Sequence, residues 1–127
     1  MIAKQKERRV YISEQDIWAY AWQMCMGILH IHTRGIIHRD IKCLNIMLSN
    51  GQVKLGDMSE SRVLDSSAYI KSKNVVGTPL SLSPEVIKQQ GYDQRSDVWG
   101  LGVALYSMAC LQPPFYEDSM PALMQAI

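Results

Sequence analysis

HRDIKCLN, residues 38–45, is the stretch on which the fold turns. It mixes charged and apolar side chains with neither the 3.6-residue period of a helix nor the alternation of a strand. Ile36, Ile37, Ile41 and Leu44 punctuate it as apolar anchors, so it reads as a loop pinned at several points. Loops held on a rigid scaffold are where functional side chains concentrate.

The flanks supply that scaffold. Upstream, residues 1–12 form a basic, weakly patterned lead-in, and Ser13 then opens a helix, with Asp16 completing a pair like a capping box. Ile17, Tyr20, Ala21, Met24, Ile28 and Ile31 recur at helical spacing, and Gly35 is the natural stop. Downstream, Ile46–Leu48 and Gln52–Leu55 are strand candidates, and Ser49-Asn50-Gly51 between them is a hairpin turn signal. A polar, Ser-rich segment runs from Ser59 to about Asn74 without periodicity. Ser83-Pro84-Glu85 starts a short helix that Gly91 ends. Ser96 is expected to cap the next helix, which runs through Asp97 to about Cys110 and is apolar nearly all round, as a core helix is. Pro113-Pro114 breaks the chain, and Ser119 opens a last helical segment reaching Ile127 without a cap, so the chain reads as cut there.

Composition bounds the function. A chain of 127 residues suits one modest domain, and 47% hydrophobic with 20% charged residues marks it as globular. Thirteen basic against twelve acidic residues leave a net charge of +1, which argues against nucleic acid or a membrane surface as a partner held by bulk charge. Cys25, Cys43 and Cys110 are odd in number and show no C-x-x-C spacing, so neither a disulfide framework nor a zinc site is expected, and a reducing intracellular compartment is. The N-terminus lacks the apolar core of a signal peptide. The mostly apolar run Val98 to Leu111 is too short to span a bilayer. The sequence carries no signal of an oligomeric state.

HRDIKCLN also fits H-R-D-x-x-x-x-N, the pattern of the protein-kinase catalytic loop. In KLGDMSES, residues 54–61, Asp57 follows the second strand candidate where kinases carry Asp-Phe-Gly. VVGTPLSLSPE, residues 75–85, resembles the end of an activation segment, and SDVWGLGVALYSMACLQPPF, residues 96–115, resembles the central helix of the large lobe. Together with YDQRSDVWGLG and PPF, these motifs resemble the NIMA-related serine/threonine kinases from about Ile2 onward. The resemblance implies a mainly α fold with a small β-hairpin: the C-terminal large lobe, with residues 1–127 running from just before helix E into helix G. It implies ATP and Mg²⁺ as cofactors, a Ser/Thr-bearing protein as substrate, and a cytoplasmic location, with cytoskeletal or nuclear association by family analogy.

Roles follow the same resemblance. Asp40 matches the catalytic base and Lys42 the lysine on the transferring phosphate. Asn45 and Asp57 match the magnesium ligands, and Asp57 also bridges to the phosphates. Thr78 resembles the threonine that contacts Asp40 and Lys42 and favours Ser/Thr substrates, and Met47 is expected under the adenine. His38 is expected to pack against Met58, Arg39 to grip an activation-segment phosphate, Asp97 to hold the His38–Arg39 backbone, and Glu85 to pair with a later arginine.

Read alone, Asp57 is a turn aspartate more often than a ligand; the catalytic loop upstream and the hairpin before it reverse that. His30 and His32 do not share a helix face at i,i+2 and read as helix-end histidines rather than a metal pair. Cys43 reads as filler. Serines 59, 61, 66, 67 and 72 read equally as solvated loop or phosphosites. The sequence departs from the family at Met58-Ser59 for Phe-Gly, at Leu80-Ser81 for two aromatics, and at Asn74 for a common phosphosite. No G-x-G-x-x-G and no V-A-I-K lysine occur, so the chain alone is expected to be inactive. The alternative is a pseudokinase-like binding module.

Overall fold

The computed structural model describes Gln5, Glu7, residues 10–63 and residues 79–127. Within them, helix α1 spans Glu14–His32 and begins as the sequence predicts. The Ser13 hydroxyl accepts the Asp16 N–H at 3.1 Å and donates to the Asp16 carboxylate at 2.7 Å, so a free helix-end donor is satisfied locally. Ala21, Met24 and Ile28 bury the inner face. After α1 the chain turns through Gly35, whose φ of 71° is a left-handed conformation that glycine takes without steric cost.

Two short antiparallel pairs follow. Strand β2 (Ile46–Ser49) pairs with β3 (Gln52–Leu55), from Ile46 opposite Leu55 to Ser49 opposite Gln52. Asn50 and Gly51 link them at φ 51° and 75°, the positive values that a two-residue hairpin needs to match strand twist. Gln23 of α1 clasps this hairpin by donating to the Gly51 carbonyl at 3.1 Å and accepting the Val53 N–H at 2.9 Å. The second pair joins β1 (Ile36–Ile37) to β4 (Arg62–Val63). The sequence did not announce it, because two residues are too few to show alternation.

Helix α2 (Pro84–Ile87) starts at the expected proline, but the left-handed turn after it falls at Gln89, φ 55°, before Gly91 is reached. Helix α3 (Gln94–Cys110) corrects the expected cap. Asp93, not Ser96, closes its N-terminus, its carboxylate accepting the Arg95 N–H at 2.7 Å. Ser96 lies in the first turn, buried. Nor is α3 buried all round: Gly100, Leu101, Ala104 and Met108 face inward while Val98 and Tyr106 are exposed. Helix α4 (Met120–Ala126) is capped by Ser119 as expected.

The main core gathers Ile12, Met24, Ile28, Ile41, Leu101 and Met108, with Ile46, Val53 and Leu55 packed against it. It thus lies between α1, α3 and the β2–β3 hairpin, and Ile41 brings the 38–45 loop into it. Contact is close there: a Cβ on Gly100 would come within 2.8 Å of the Ile41 carbonyl oxygen. A smaller cluster joins Leu82, Val86 and Tyr92 around α2. No described helix is long and apolar enough to cross a membrane.

Candidate catalytic site

The loop between β1 and β2 is fixed from beneath by one carboxylate. Asp97, in the first turn of α3, is 1% exposed. Its Oδ2 accepts the His38 N–H at 2.9 Å and its Oδ1 accepts the Arg39 N–H at 2.8 Å. These bonds hold Arg39 in a left-handed backbone, φ 71°, which a bulky residue keeps only when its surroundings impose it. His32, at the end of α1, adds a third contact, Nε2 to Asp97 Oδ2 at 2.7 Å. The sequence marks His32 only as a helix-end histidine, yet it stands four residues after Ile28 on the buried face of α1, which was the available signal for this contact.

His38 is fully buried and bridges the two halves of the site. Its Nε2 lies 3.1 Å from the Gly56 carbonyl, and its Nδ1 accepts the Asp40 N–H at 3.3 Å. The ring therefore binds the backbone just before Asp57, while Met58 is 40% exposed. Gly56 is tied back to the loop by donating to the Asn45 carbonyl at 2.8 Å.

Asp40 is 7% exposed and its carboxylate is fully engaged on one edge. Lys42 Nζ lies 2.6 Å from Oδ2, and Asn45 Nδ2 donates to the same oxygen at 2.9 Å and to the Asp40 carbonyl at 2.9 Å. Both donors fix the orientation of the carboxylate. Because the Asn45 amide nitrogen makes both bonds, its amide oxygen is turned away from Asp40.

Asp57 contrasts with this. It is exposed, and its own φ is 56°. Ser59, which stands where the family motif has glycine, has no positive φ; the left-handed turn falls on Asp57 itself. Aspartate tolerates that conformation better than most side chains. The Ser59 hydroxyl donates to Asp57 Oδ1 at 2.7 Å, and with the weaker Ser59 N–H at 3.4 Å it holds the carboxyl below the ordinary aspartate value of 3.8. An ionised Asp57 oxygen and the Asn45 amide oxygen are hard donors, the kind that Mg²⁺ takes alongside water and phosphate oxygens. The residues present therefore fit a magnesium–nucleotide pair, although the described residues contain no group of three or more His, Cys, Asp or Glu that could hold a metal by themselves.

The remaining residues lie around this centre. Met47, opposite Lys54 in the hairpin, is 54% exposed and reaches over Gly56, where a Cβ would meet its methyl at 2.5 Å. The Arg39 guanidinium lies 4.8 Å over the Tyr92 ring. Its Nε and the Ser83 hydroxyl are buried without hydrogen-bond partners, and both residues line a cavity of about 10 Å³, room for about one water. Glu85 accepts the Ser96 hydroxyl at 2.8 Å, linking α2 to α3. Burial pushes the Cys43 thiol above its ordinary 9.0, in keeping with an inert filler. Thr78, Asn74 and serines 66, 67 and 72 lie outside the described residues.

The protein kinase domain model matches residues 2–127, so the chain belongs to the protein kinase domain family. Its relatives include serine/threonine-protein kinases of the Nek group, the NIMA-related family that the motifs resemble. It is 41% identical over 124 residues to Nek5 of Homo sapiens, covering 96% of this chain and 17% of that protein. It is 40% identical over 118 residues to Nek11 of Mus musculus, covering 93% and 19%, and 39% identical over 125 residues to Nek3 of Mus musculus, covering 98% and 24%. The chain thus spans about a fifth of the length of these relatives.

Proposed function

We propose that the chain is the large-lobe part of a kinase domain that transfers a phosphoryl group from Mg²⁺-bound ATP to a Ser or Thr hydroxyl of a protein substrate. The observation that carries this reading is Asp40, bonded by Lys42 and Asn45 on a loop anchored to Asp97. Asp40 accepts the proton of the substrate hydroxyl as its oxygen bonds to the terminal phosphorus and the bond from that phosphorus to the departing ADP breaks. Lys42 stays beside the transferring group and offsets its charge. Asn45 and Asp57 would hold the metal through their oxygens, and it would supply charge neutralisation of the phosphates. Met47 supplies the floor under the adenine, Thr78 favours Ser/Thr over Tyr substrates, and Arg39 answers to the activation segment. The sequence contains no Gly-rich phosphate loop and no V-A-I-K lysine, so this chain by itself transfers little phosphate. This reading assigns the reaction to a reducing compartment, the cytoplasm, which suits an odd number of cysteines without C-x-x-C spacing.

Joined behind the N-terminal half of the mouse Nek3 kinase domain, the chain is expected to phosphorylate a generic Ser peptide, and Asp40→Asn is expected to lower kcat by about 10²–10⁴-fold. A folded fusion that transfers no phosphate through Asp40 contradicts the reading. A second reading, a kinase-like docking module without catalysis, is favoured by one observation: the Ser59 hydroxyl already occupies Asp57 Oδ1. Under that reading the folded fusion gains no thermal stability from Mg-ATP.

A further inference from the structure

Helix α1 meets the core through Ala21, Met24 and Ile28, and its opposite face is apolar as well. Trp18 and Trp22 are 70% and 69% exposed, and Ala19, Cys25, Met26 and Leu29 lie open beside them. These positions recur at three- and four-residue steps, so they form one stripe about 17 Å long. From Ile17 to Leu29 the sequence carries no charged residue. A helix face turned to water is ordinarily polar, and a contiguous apolar patch on a globular surface marks an interaction site. The two ends of the stripe differ in sign. Glu14 and Asp16 are exposed in the first turn of α1, and His30 and Arg34 are exposed at and just past its end. Glu14 also accepts the Trp18 indole N–H at 3.3 Å, which ties that ring to the first turn. We propose that this stripe is a self-association surface, on which two copies of the chain pair their α1 helices antiparallel about a twofold axis.

A second copy is the occupant because the charges are complementary only to themselves reversed. Antiparallel pairing brings the acidic start of one helix to the basic end of the other, Glu14 beside the partner's Arg34, whereas parallel pairing sets like charges together. With the axis passing between Gln23 and Met24, Trp22 faces the partner's Cys25 and Trp18 faces the partner's Leu29. Each ring then meets a smaller side chain, which lets the two surfaces interdigitate. A centre without charge inside a polar rim is the composition of a protein interface, and Trp is enriched at its strongest points. Four Trp side chains, as exposed as these, supply about 400–700 Å² of the roughly 1,200 Å² that the smaller stable interfaces bury, and Met26 and Leu29 add to it. A pair of that size forms in the micromolar range. The pairing uses neither Asp40 nor Asp57, so it stands apart from the catalytic reading.

Sedimentation and alkylation of the whole chain test this. At about 0.1 mM, above a micromolar Kd, the chain is expected to sediment as two copies and to dissociate on dilution. Over the same range, iodoacetamide alkylation of Cys25, read by mass spectrometry, is expected to slow severalfold as the concentration rises, while Cys43, which is not on the stripe, keeps its rate. Trp22→Glu is expected to sediment as one copy at the higher concentration and to keep its circular-dichroism melt, because Trp22 lies outside the core. If that variant fails to fold, the Cys25 rates of the unaltered chain decide. Glu14→Lys is expected to weaken the pairing by about two- to thirtyfold, since two exposed ion pairs are lost, and adding Arg34→Glu is expected to restore it. A chain that stays single or gathers into larger assemblies, Cys25 rates that ignore concentration, pairing that survives in folded Trp22→Glu, or a double variant that pairs no better than Glu14→Lys alone overturns the proposal.

Discussion

The two halves of the candidate site carry the same kind of group, an aspartate in a loop, and hold it in opposite ways. Asp40 sits on a loop whose backbone is bound by a buried carboxylate, whose apolar anchor Ile41 is in the main core, and whose own carboxylate is bonded by Lys42 and Asn45. Asp57 sits two residues beyond a β-hairpin, exposed, with its carboxylate turned onto the hydroxyl of Ser59 two residues later. Both halves contain a left-handed non-glycine residue, Arg39 in the first and Asp57 in the second. In the first, tertiary contacts enforce it; in the second, local turn chemistry does. Asp40 is therefore set by the core, and Asp57 by three residues of sequence, where the departures Met58 and Ser59 fall.

The largest effect that separates the halves is expected from Asp97→Ala. It strands the buried His38 and Arg39 N–H groups and removes the His32 contact, at a cost of about 2–5 kcal/mol in urea unfolding, because each buried donor left without its acceptor costs about 1–3 kcal/mol. A loss below about 1 kcal/mol would put the loop's anchor elsewhere. Gly100→Ala tests the same half by steric means. Its methyl would meet Ile41 backbone and side chain at 2.8 and 3.1 Å, so a loss of about 1–3 kcal/mol is expected, with Asp40 displaced rather than Asp57. A neutral melt would show that the loop yields where it is described as fixed.

The smallest effect belongs to the other half. In Ser59→Gly, the Asp57 pKa is expected to rise toward 3.8, followed by carboxyl carbon shifts in NMR. The sign follows from linkage: a carboxyl whose folded value is depressed stabilises the fold above its ordinary value, and that contribution is lost as pH falls through the depressed one. The wild type therefore loses this contribution on acidification below 3.8, and the variant has less of it to lose. An unmoved Asp57 titration would mean that Ser59 does not hold the carboxylate.

What the sequence made legible follows the same division. Ser13, the Asn50-Gly51 turn, Gly35 and the Ser83-Pro84 start were readable because cap and turn chemistry is local. The kinase motifs were readable because their side-chain types and spacing are dictated by one reaction. Contacts made between distant elements were not. The β1–β4 pair joins two-residue segments with no period, and Asp93 took the cap of α3 from Ser96 because Ser96 is drawn into the bond with Glu85. His32 looked like one of two helix-end histidines until α3 placed Asp97 beside it. The exposure of Val98 and Tyr106 also escaped a reading of apolar content, which says how much surface wants burial but not what is present to cover it.

Backbone hydrogen exchange of the chain tests the contrast between the two halves most directly. The His38 and Arg39 amides, bonded to buried Asp97, are expected to exchange at the slow limit set by global unfolding, alongside the inner face of α1. The Ser59 amide, in an exposed turn at 3.4 Å from its acceptor, is expected to exchange freely. His38 and Arg39 amides exchanging as fast as Ser59 would contradict the account.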